Sequence, residues 1–492
     1  MNDFNHYLET IGEFGIVERV NYPIVGVNGL PLAKPHEIVL FETGQFGEVF
    51  TINHDGVEIL VFSKEPVRVR TKVTRTNKLL SIPVGKHLLG ATVDPLGEPI
   101  VAKQKAPVEN IEERPIDERP LGIAARRRVS RPLTTGVTVV DLLIPIGKGQ
   151  KELVIGDRKT GKSAFLQAAT AYQIQQGSVA VYAAIARKTS DIKRIEEFFQ
   201  KQGIANRVVL IATSSFDSPS LIYLTPYTAM TVAEYFRDQG EDVIVVLDDL
   251  STHAKFYREI SLLARRFPGR DSYPGDIFYT HARLLERAGN FVHKEKGEVS
   301  ITCLPVAETV EGDFTGYIVT NLMGITDGHI YFDSNVYYQG RRPAINAALS
   351  VTRVGKQTQS KMKRDINREL TSFLALYEKM QNFSHFGAEL TASVKDILKT
   401  GDSIYKFFDQ SRELIVEEEI QLMLFALLWA KIIDEPNEEG YSKLKNSLAK
   451  AYQKEEVKTL FKLVLEQPSF NSVLAKVIQN RDQLVAICNL TN

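Results

Sequence analysis

Between residues 15 and 75 the apolar positions fall in short β-prone runs, 24–27, 37–41, 47–52 and 57–62, separated by turn residues. Asn53-His54-Asp55-Gly56, between the last two, supplies a hairpin turn in which Gly56 can take positive φ. Many short strands at close spacing predict a small all-β barrel with no visible chemistry. From residue 76 the texture changes. Pro and Gly punctuate 83–99, after which apolar runs alternate with amphipathic stretches. Strands are expected at 178–184, 207–211 and 243–247, and helices at 190–202 and 225–238; this order predicts a parallel sheet covered by helices on both faces. After 360 the strands stop. Met362, Ile366, Leu370, Phe373, Tyr377 and Met380 recur at steps of three and four, one apolar face of a long helix. Further helical segments are expected at 390–399, 404–410, 415–433, 442–451 and 455–465. The fold class is therefore multidomain: an N-terminal small β-barrel over 1–75, a central α/β domain over 76–360 and a C-terminal α-helical bundle over 361–492.

Length supports that division, since 492 residues exceed what one core organises. Lys plus Arg and Asp plus Glu are both 60, so the chain exerts no broad pull on nucleic acid or anionic lipid. The two cysteines, Cys303 and Cys488, do not make a disulfide framework and point to a reducing compartment. Residues 2–13 are polar and lack the apolar core of a signal peptide. The most hydrophobic window, 420–433, is shorter than the ~20 residues that span a bilayer and contains Lys431, so it reads as a buried helix. The expectation is a cytoplasmic chain with no direct membrane insertion and no nucleic-acid partner. Any membrane association would come through partners.

The densest chemistry lies at 156–163, GDRKTGKS. Gly156, Arg158, Lys159, Thr160, Gly161, Lys162, Ser163 and Ala164 follow the apolar run Leu153-Val154-Ile155 and lead into a helical stretch. A glycine-rich turn between strand and helix lets backbone N–H groups wrap an anion at the helix's positive end. In that pattern Lys162 reaches the outer phosphates and Ser163 offers its hydroxyl to Mg²⁺. A turn with no ligand is the bland alternative, and the complete set of fixed positions outweighs it. The Mg²⁺ shell also needs a carboxylate at the end of an adjacent buried strand. Asp248, followed by Asp249, comes directly after Val243-Ile244-Val245-Val246-Leu247 and is the candidate. Hydrolysis further requires a residue to orient or deprotonate water, which ring-forming ATPases supply as a glutamate after the next strand. Here 181–185 runs into Ala186-Arg187-Lys188-Thr189-Ser190, with no acid. The expectation is binding without turnover. The basic triplet Arg126-Arg127-Arg128 reads as a solvated turn rather than a phosphate contact.

The succession GDRKTGKS, VIVVLDDLS, PGRDSYPGDIFYTHARLLERA, ITDGHIYF and RRPAINAALSVTRVG resembles the α subunits of F-type ATP synthases, from about residue 15 to beyond 412. The block at 268–288 is far more specific than the phosphate loop alone. The resemblance implies a RecA-like P-loop nucleotide-binding domain that holds ATP or ADP with Mg²⁺ without hydrolysing it. It implies a hexameric ring alternating with catalytic β-type chains, a γ-type central stalk, and a peripheral stalk or other anchor protein at the cytoplasmic face of the cell membrane. Lys162, Ser163 and Asp248 match the family's phosphate and Mg²⁺ positions, while Lys159 and Arg187 stand where the family carries glutamines. Tyr337 and Arg342 match residues near the base pocket. Gln410 matches one of two adenine-side glutamines, and Arg412 stands at the other. Arg353 matches the arginine finger that acts in the neighbouring catalytic site; without the surrounding motif it would read as a surface Arg in an ion pair. Family members begin with a longer helical anchor than the residues that precede the barrel here. That departure raises an alternative: a repurposed motor, such as bacterial gliding machinery, that is not coupled to ion transport.

Overall fold

The computed structural model describes residues 3–54, 56–63, 65–100, 111–385, 391–411, 414–433 and 438–488. It divides into two compact units, one of Met1–Arg127, Gly177–Glu308 and Phe314–Thr326, the other of Arg128–Gln176, Thr309–Asp313 and Asp327–Asn492. Barrel, α/β and helical regions follow one another along the chain in the order the pattern predicts. Both compact units draw on the central segment 76–360.

In the first unit six strands close into a barrel: β1 (Phe14–Asn21), β2 (Ile24–Asn28), β3 (Glu37–Phe41), β4 (Phe46–Asn53), β5 (Gly56–Val61) and β6 (Lys72–Leu79). Their order is β1-β2-β5-β4-β3-β6. Inward-facing Val17, Val25, Val39, Val49, Ile59 and Val73 fill its interior. Gly56 takes φ +140°, and a Cβ there would overlap the Val27 carbonyl oxygen, so the hairpin corner demands glycine. The pattern did not predict α1 (Phe4–Ile11), whose Phe4, Tyr7, Leu8 and Ile11 pack with Leu40 and Phe46. The steps of three, one and three were present, but the segment's overall polarity hid them.

After the barrel the elements used below are β7 (Thr92–Val93), α2 (Thr138–Leu143), β8 (Glu152–Gly156), α3 (Lys162–Gln175), β9 (Val179–Arg187), α4 (Thr189–Lys201), β10 (Val208–Ser214), α5 (Pro219–Asp238), β11 (Val243–Asp248), α6 (Leu250–Leu263), α7 (Ile277–Leu285), β12 (Gly289–His293), β13 (Gly297–Glu308), α8 (Tyr317–Ile325), β14 (Gly328–Phe332), α9 (Ser334–Tyr338) and β15 (Val351–Thr352). In the first unit β13, β11, β9, β10 and β7 are neighbours in parallel, and β12 pairs antiparallel to β13. β11 is buried throughout, which is why its sequence is a continuous apolar run rather than an alternating one. Two expectations change here. Helix α5 starts at Pro219 rather than at 225, because Pro219 needs no N–H partner in the first turn and Pro226 is accommodated inside the helix. The basic triplet is not a solvated turn. Arg126 and Arg127 pair with Phe291 and Asn290, and the Arg126 guanidinium donates to the carbonyls of Leu121, Glu286 and Ala288.

In the second unit β8 runs parallel to β14, and β15 pairs antiparallel to β14. The helices α10 (Lys361–His385), α11 (Ala392–Phe408), α12 (Glu418–Trp429), α13 (Glu438–Ala451), α14 (Glu455–Leu465), α15 (Phe470–Gln479) and α16 (Arg481–Ile487) complete it. The segments expected at 390–399 and 404–410 are one helix, α11, capped by the Thr391 hydroxyl on Val394 N–H. Gly401 within it lies against Tyr377, where a Cβ would overlap the ring. It is a close-packing glycine rather than a break. The helix expected at 415–433 is also shorter, Glu418–Trp429, and among the described residues no helix is long and apolar enough to cross a membrane.

Candidate nucleotide site

The loop at 156–163 belongs to the second unit and is built on β8, whose five residues are all buried, with Gly156 opposite Phe332 of β14. A Cβ on Gly156 would overlap the Phe332 carbonyl oxygen, so only glycine lets the strand leave the sheet at this point. Lys159 at φ +66° and Gly161 at φ +106° then supply left-handed corners, the kind from which anion-binding nests of N–H groups are made. Helix α3 opens at Lys162 and presents its N-terminal end to the loop.

Inside the loop the Lys162 ammonium is buried and donates to the carbonyls of Gly156 (2.7 Å) and Asp157 (2.6 Å). The Thr160 hydroxyl, also buried, donates to the Asp157 carbonyl at 2.8 Å. Arg158, Lys159 and Ser163 are exposed, and Ala164 is half-buried on the first turn of α3. Sequence reasoning missed Asp157. Its carboxylate accepts from the Thr309 hydroxyl (2.6 Å), the Ser334 hydroxyl (2.7 Å) and the Gly312 N–H (3.0 Å). Burial pushes this carboxyl up, but the three donors and the Lys162 charge outweigh it and hold the group below the usual carboxylate range. The available signal was an acid placed inside an otherwise cationic loop.

Three of the expected base-side residues come together in the same unit. The Arg342 guanidinium lies over the Tyr337 ring at 3.7 Å and donates to the Tyr337 carbonyl at 2.8 Å. The Gln410 N–H donates to the Arg342 carbonyl at 2.7 Å. The buried Gln410 side chain accepts from the N–H and hydroxyl of Thr138, both at 3.1 Å, and donates to the carbonyls of Gly136 (2.7 Å) and Leu414 (2.5 Å). All four hydrogen-bonding places of that amide are thereby filled by the protein itself. Arg412 lies outside the described residues.

Arg353, exposed, follows β15, and its N–H donates to the Asp327 carbonyl at 3.0 Å. The residues around it are fixed firmly. The Thr352 hydroxyl donates to the Pro145 carbonyl at 2.9 Å and accepts from the Gly355 N–H at 3.1 Å.

Asp248 closes β11 in the first unit, as the apolar run predicts, opposite Ala184 of β9. Both of its carboxylate oxygens accept: Oδ1 from the Arg187 guanidinium, and Oδ2 from the Tyr182 hydroxyl at 2.9 Å. The neighbouring Asp249 lies 3.5 Å from the same guanidinium and caps α6 by accepting from Thr252 N–H at 2.6 Å. Burial raises the Asp249 carboxyl to about 6 against the lowering charge of Arg187. Burial lowers the Arg187 guanidinium, but the two aspartates outweigh it and strengthen its hold on the proton.

Residues 136–352 match the ATP synthase alpha/beta family, nucleotide-binding domain, and residues 359–481 match the ATP synthase alpha/beta chain, C terminal domain. The ATP synthase subunit alpha of Caldanaerobacter subterraneus subsp. tengcongensis is 40% identical over 85% of this chain and 83% of its own length. This chain belongs to the ATP synthase alpha/beta family. The ATP synthase subunit alpha of Mycoplasma capricolum subsp. capricolum is 38% identical over 96% of this chain and 90% of its own. The ATP synthase subunit alpha 1 of Mycoplasmopsis pulmonis is 37% identical over 92% and 85% respectively. As a member of the ATP synthase alpha/beta family the chain carries a nucleotide-binding domain, and the loop at 156–163 lies within it.

Proposed function

We propose that this chain is the nucleotide-holding, non-catalytic alpha-type subunit of a rotary F-type ATPase. In this reading the phosphates of ATP or ADP rest on the loop N–H groups and Lys162, and Tyr337 and Arg342 flank the base. Gln410 braces 136–138 from behind rather than touching the ligand, because its amide is already saturated. The observation that carries the non-catalytic assignment is Arg187. In the sequence after β9, where a water-orienting carboxylate is expected, the chain carries Arg187, whose guanidinium is paired with Asp248. A permanently protonated group cannot accept the proton of attacking water.

The chain's catalytic contribution is then made in trans by Arg353, whose guanidinium spreads charge over the γ-phosphoryl oxygens in a neighbouring beta-type site. Fingers of this kind are worth ~10³–10⁵ in rate. The firm seat around Thr352 and Gly355 favours that role, since a finger acts only if its base does not drift. The complex would be an alternating alpha–beta hexamer around a gamma-type stalk, held at the cytoplasmic face of the cell membrane through partner subunits and an anchor protein. The deciding experiment compares the purified chain with the assembled complex. The chain alone should bind ATP with negligible turnover, and robust hydrolysis by the isolated chain would sink the assignment. Copurification with ring-forming membrane subunits would couple the complex to ion flow, and their absence would favour a mechanical motor.

A further inference from the structure

Behind the short strand that leads into Arg353, the second unit holds a buried acid with an unfinished set of hydrogen bonds. Glu152 opens β8 and pairs with Gly328 of β14, and Gly328 pairs in turn with Thr352 of β15. Paired positions on neighbouring strands point their side chains to one face of the sheet, so Glu152 and Thr352 share a face with only a glycine between them. A Cβ on Gly328 would lie 2.7 and 2.8 Å from the two Glu152 carboxyl oxygens. The glycine thus leaves the space through which the acid reaches toward β15.

Gln150 joins the two ends. Its side-chain oxygen accepts from the Gly147 N–H at 2.8 Å, which fixes the direction of the amide. Its Nε2 then donates to Glu152 Oε2 at 2.6 Å and, more weakly, to the Thr352 hydroxyl oxygen at 3.4 Å. That hydroxyl is the one that holds the Pro145 carbonyl and receives the Gly355 N–H. Glu152 and Gln150 are both fully buried, and Glu152 Oε1 has no hydrogen-bond partner among the described residues. A buried acid with one oxygen unsatisfied costs free energy, so an apolar side chain would serve the fold better at this position. Burial pushes the Glu152 carboxyl well above the usual carboxylate range and the Asp327 charge adds to the rise, against the lowering pulls of the Gln150 hydrogen bond and the Arg353 charge. The neutral acid is thereby favoured, and a glutamine imitates it in shape and charge.

We propose that Glu152 is a positioning residue for Arg353, acting through Gln150 and the Thr352 hydroxyl to set where the guanidinium reaches in the neighbouring beta-type site. The inference rests on the finger reading above and deepens it. Thr352 and Arg353 are adjacent, so a shift in the Thr352 seat becomes a shift in the root of the finger. A displacement of about 1 Å at a catalytic group can cost about 10² in rate.

The test is ATP hydrolysis by the assembled complex. Glu152→Leu removes the acceptor of the Gln150 amide and should lower kcat about tenfold or more while KM stays within about threefold, the split expected when only transition-state contacts are lost. Glu152→Gln keeps an acceptor oxygen in that place and should rescue kcat to within about threefold of the natural complex. In an Arg353→Ala background, adding Glu152→Leu should change single-turnover hydrolysis by less than about twofold, because nothing is left to position. An equal fold-loss in both backgrounds, or a natural kcat in the folded Glu152→Leu complex, overturns the proposal. Where Glu152→Leu does not assemble, Thr352→Val decides: it keeps the side chain's shape, removes the hydroxyl, and should show the same kcat loss with the same dependence on Arg353. A natural kcat in the Thr352→Val complex likewise overturns the proposal. If Arg353→Ala alone leaves turnover near normal, the finger reading itself fails, an outcome distinct from the failure of Glu152.

Discussion

Gly355 faces Pro145 with no space for a side chain: a Cβ on Gly355 would overlap the Pro145 carbonyl oxygen, the same oxygen that the Thr352 hydroxyl holds at 2.9 Å. Two residues before that glycine stands Arg353. Gly355→Ala must therefore push the turn off its seat, at a cost of about 1–3 kcal/mol in stability, typical of overpacking. In thermal unfolding it should melt below the natural chain, and in the assembled complex it should lower turnover by moving the Arg353 backbone. An unchanged melting temperature would mean that 145 and 355 separate freely.

Arg353→Ala separates the finger from its seat. The side chain is exposed, so stability and bound nucleotide should not change, while multisite hydrolysis by the complex should fall by ~10³ or more. Near-normal turnover in this variant would remove the finger role.

Lys162→Ala withdraws the ammonium that sits on the Gly156 and Asp157 carbonyls. A charge-assisted contact to phosphate is worth about 1.5–3 kcal/mol, so affinity for nucleotide should drop about 10- to 100-fold. The number of nucleotides retained per complex after gel filtration measures this, and an unchanged number contradicts the assignment of the loop.

Gly401→Ala tests the helical region. Alanine favours a helix over glycine by about 1 kcal/mol, which alone would stabilise α11. Tyr377 decides otherwise. Its ring lies where the new methyl must go, and its hydroxyl is held by the Asp402 carboxylate at 2.6 Å, so it cannot swing aside cheaply. The variant should lose about 1–3 kcal/mol in denaturant unfolding; a gain would mean that the ring relocates.

Lys445 provides a pH signature. Its ammonium is buried and donates to the carbonyls of Phe407 (2.6 Å) and Asp409 (2.9 Å). Burial pushes its pKa down to about 8, against the opposing pull of the Asp409 charge. Between that value and the ordinary lysine range near 10.4, the unfolded chain holds a proton the folded chain has released, so stability from this group rises with pH. The natural chain should gain relative to Lys445→Met by up to about 1.4 kcal/mol per pH unit across that window. Unfolding both at pH 8 and pH 10 measures it, and parallel curves would count against a depressed lysine.

Much of this molecule is legible from short-range pattern. The strand before the phosphate loop, the β11 run ending at Asp248 and the stripe from Met362 to Met380 all lie where periodicity places them, because burial on one or both faces imposes its period on neighbouring residues. Two of the misreadings share a cause. Pro226 and Gly401 carry strong local preferences against helix, yet both sit inside helices because packing outweighs about 1–3 kcal/mol of propensity. Polarity concealed α1, whose apolar residues number only four in a short helix.

The candidate site divides in the same way. By itself the sequence determined that a loop able to cradle phosphate follows a buried strand, that a carboxylate ends β11, and that 186–190 contain no acid, since each of these is a property of adjacent residues. Only the tertiary structure decided what those groups do to one another. Arg187 and Asp248 are 61 positions apart, and their union depends on strand order and on a one-residue bulge. Gln410 finds its partners at Gly136 and Thr138 across more than 270 positions. Spacing along the chain carries no trace of such pairings, because direction and distance in space are set by sheet register and packing rather than by neighbouring side chains.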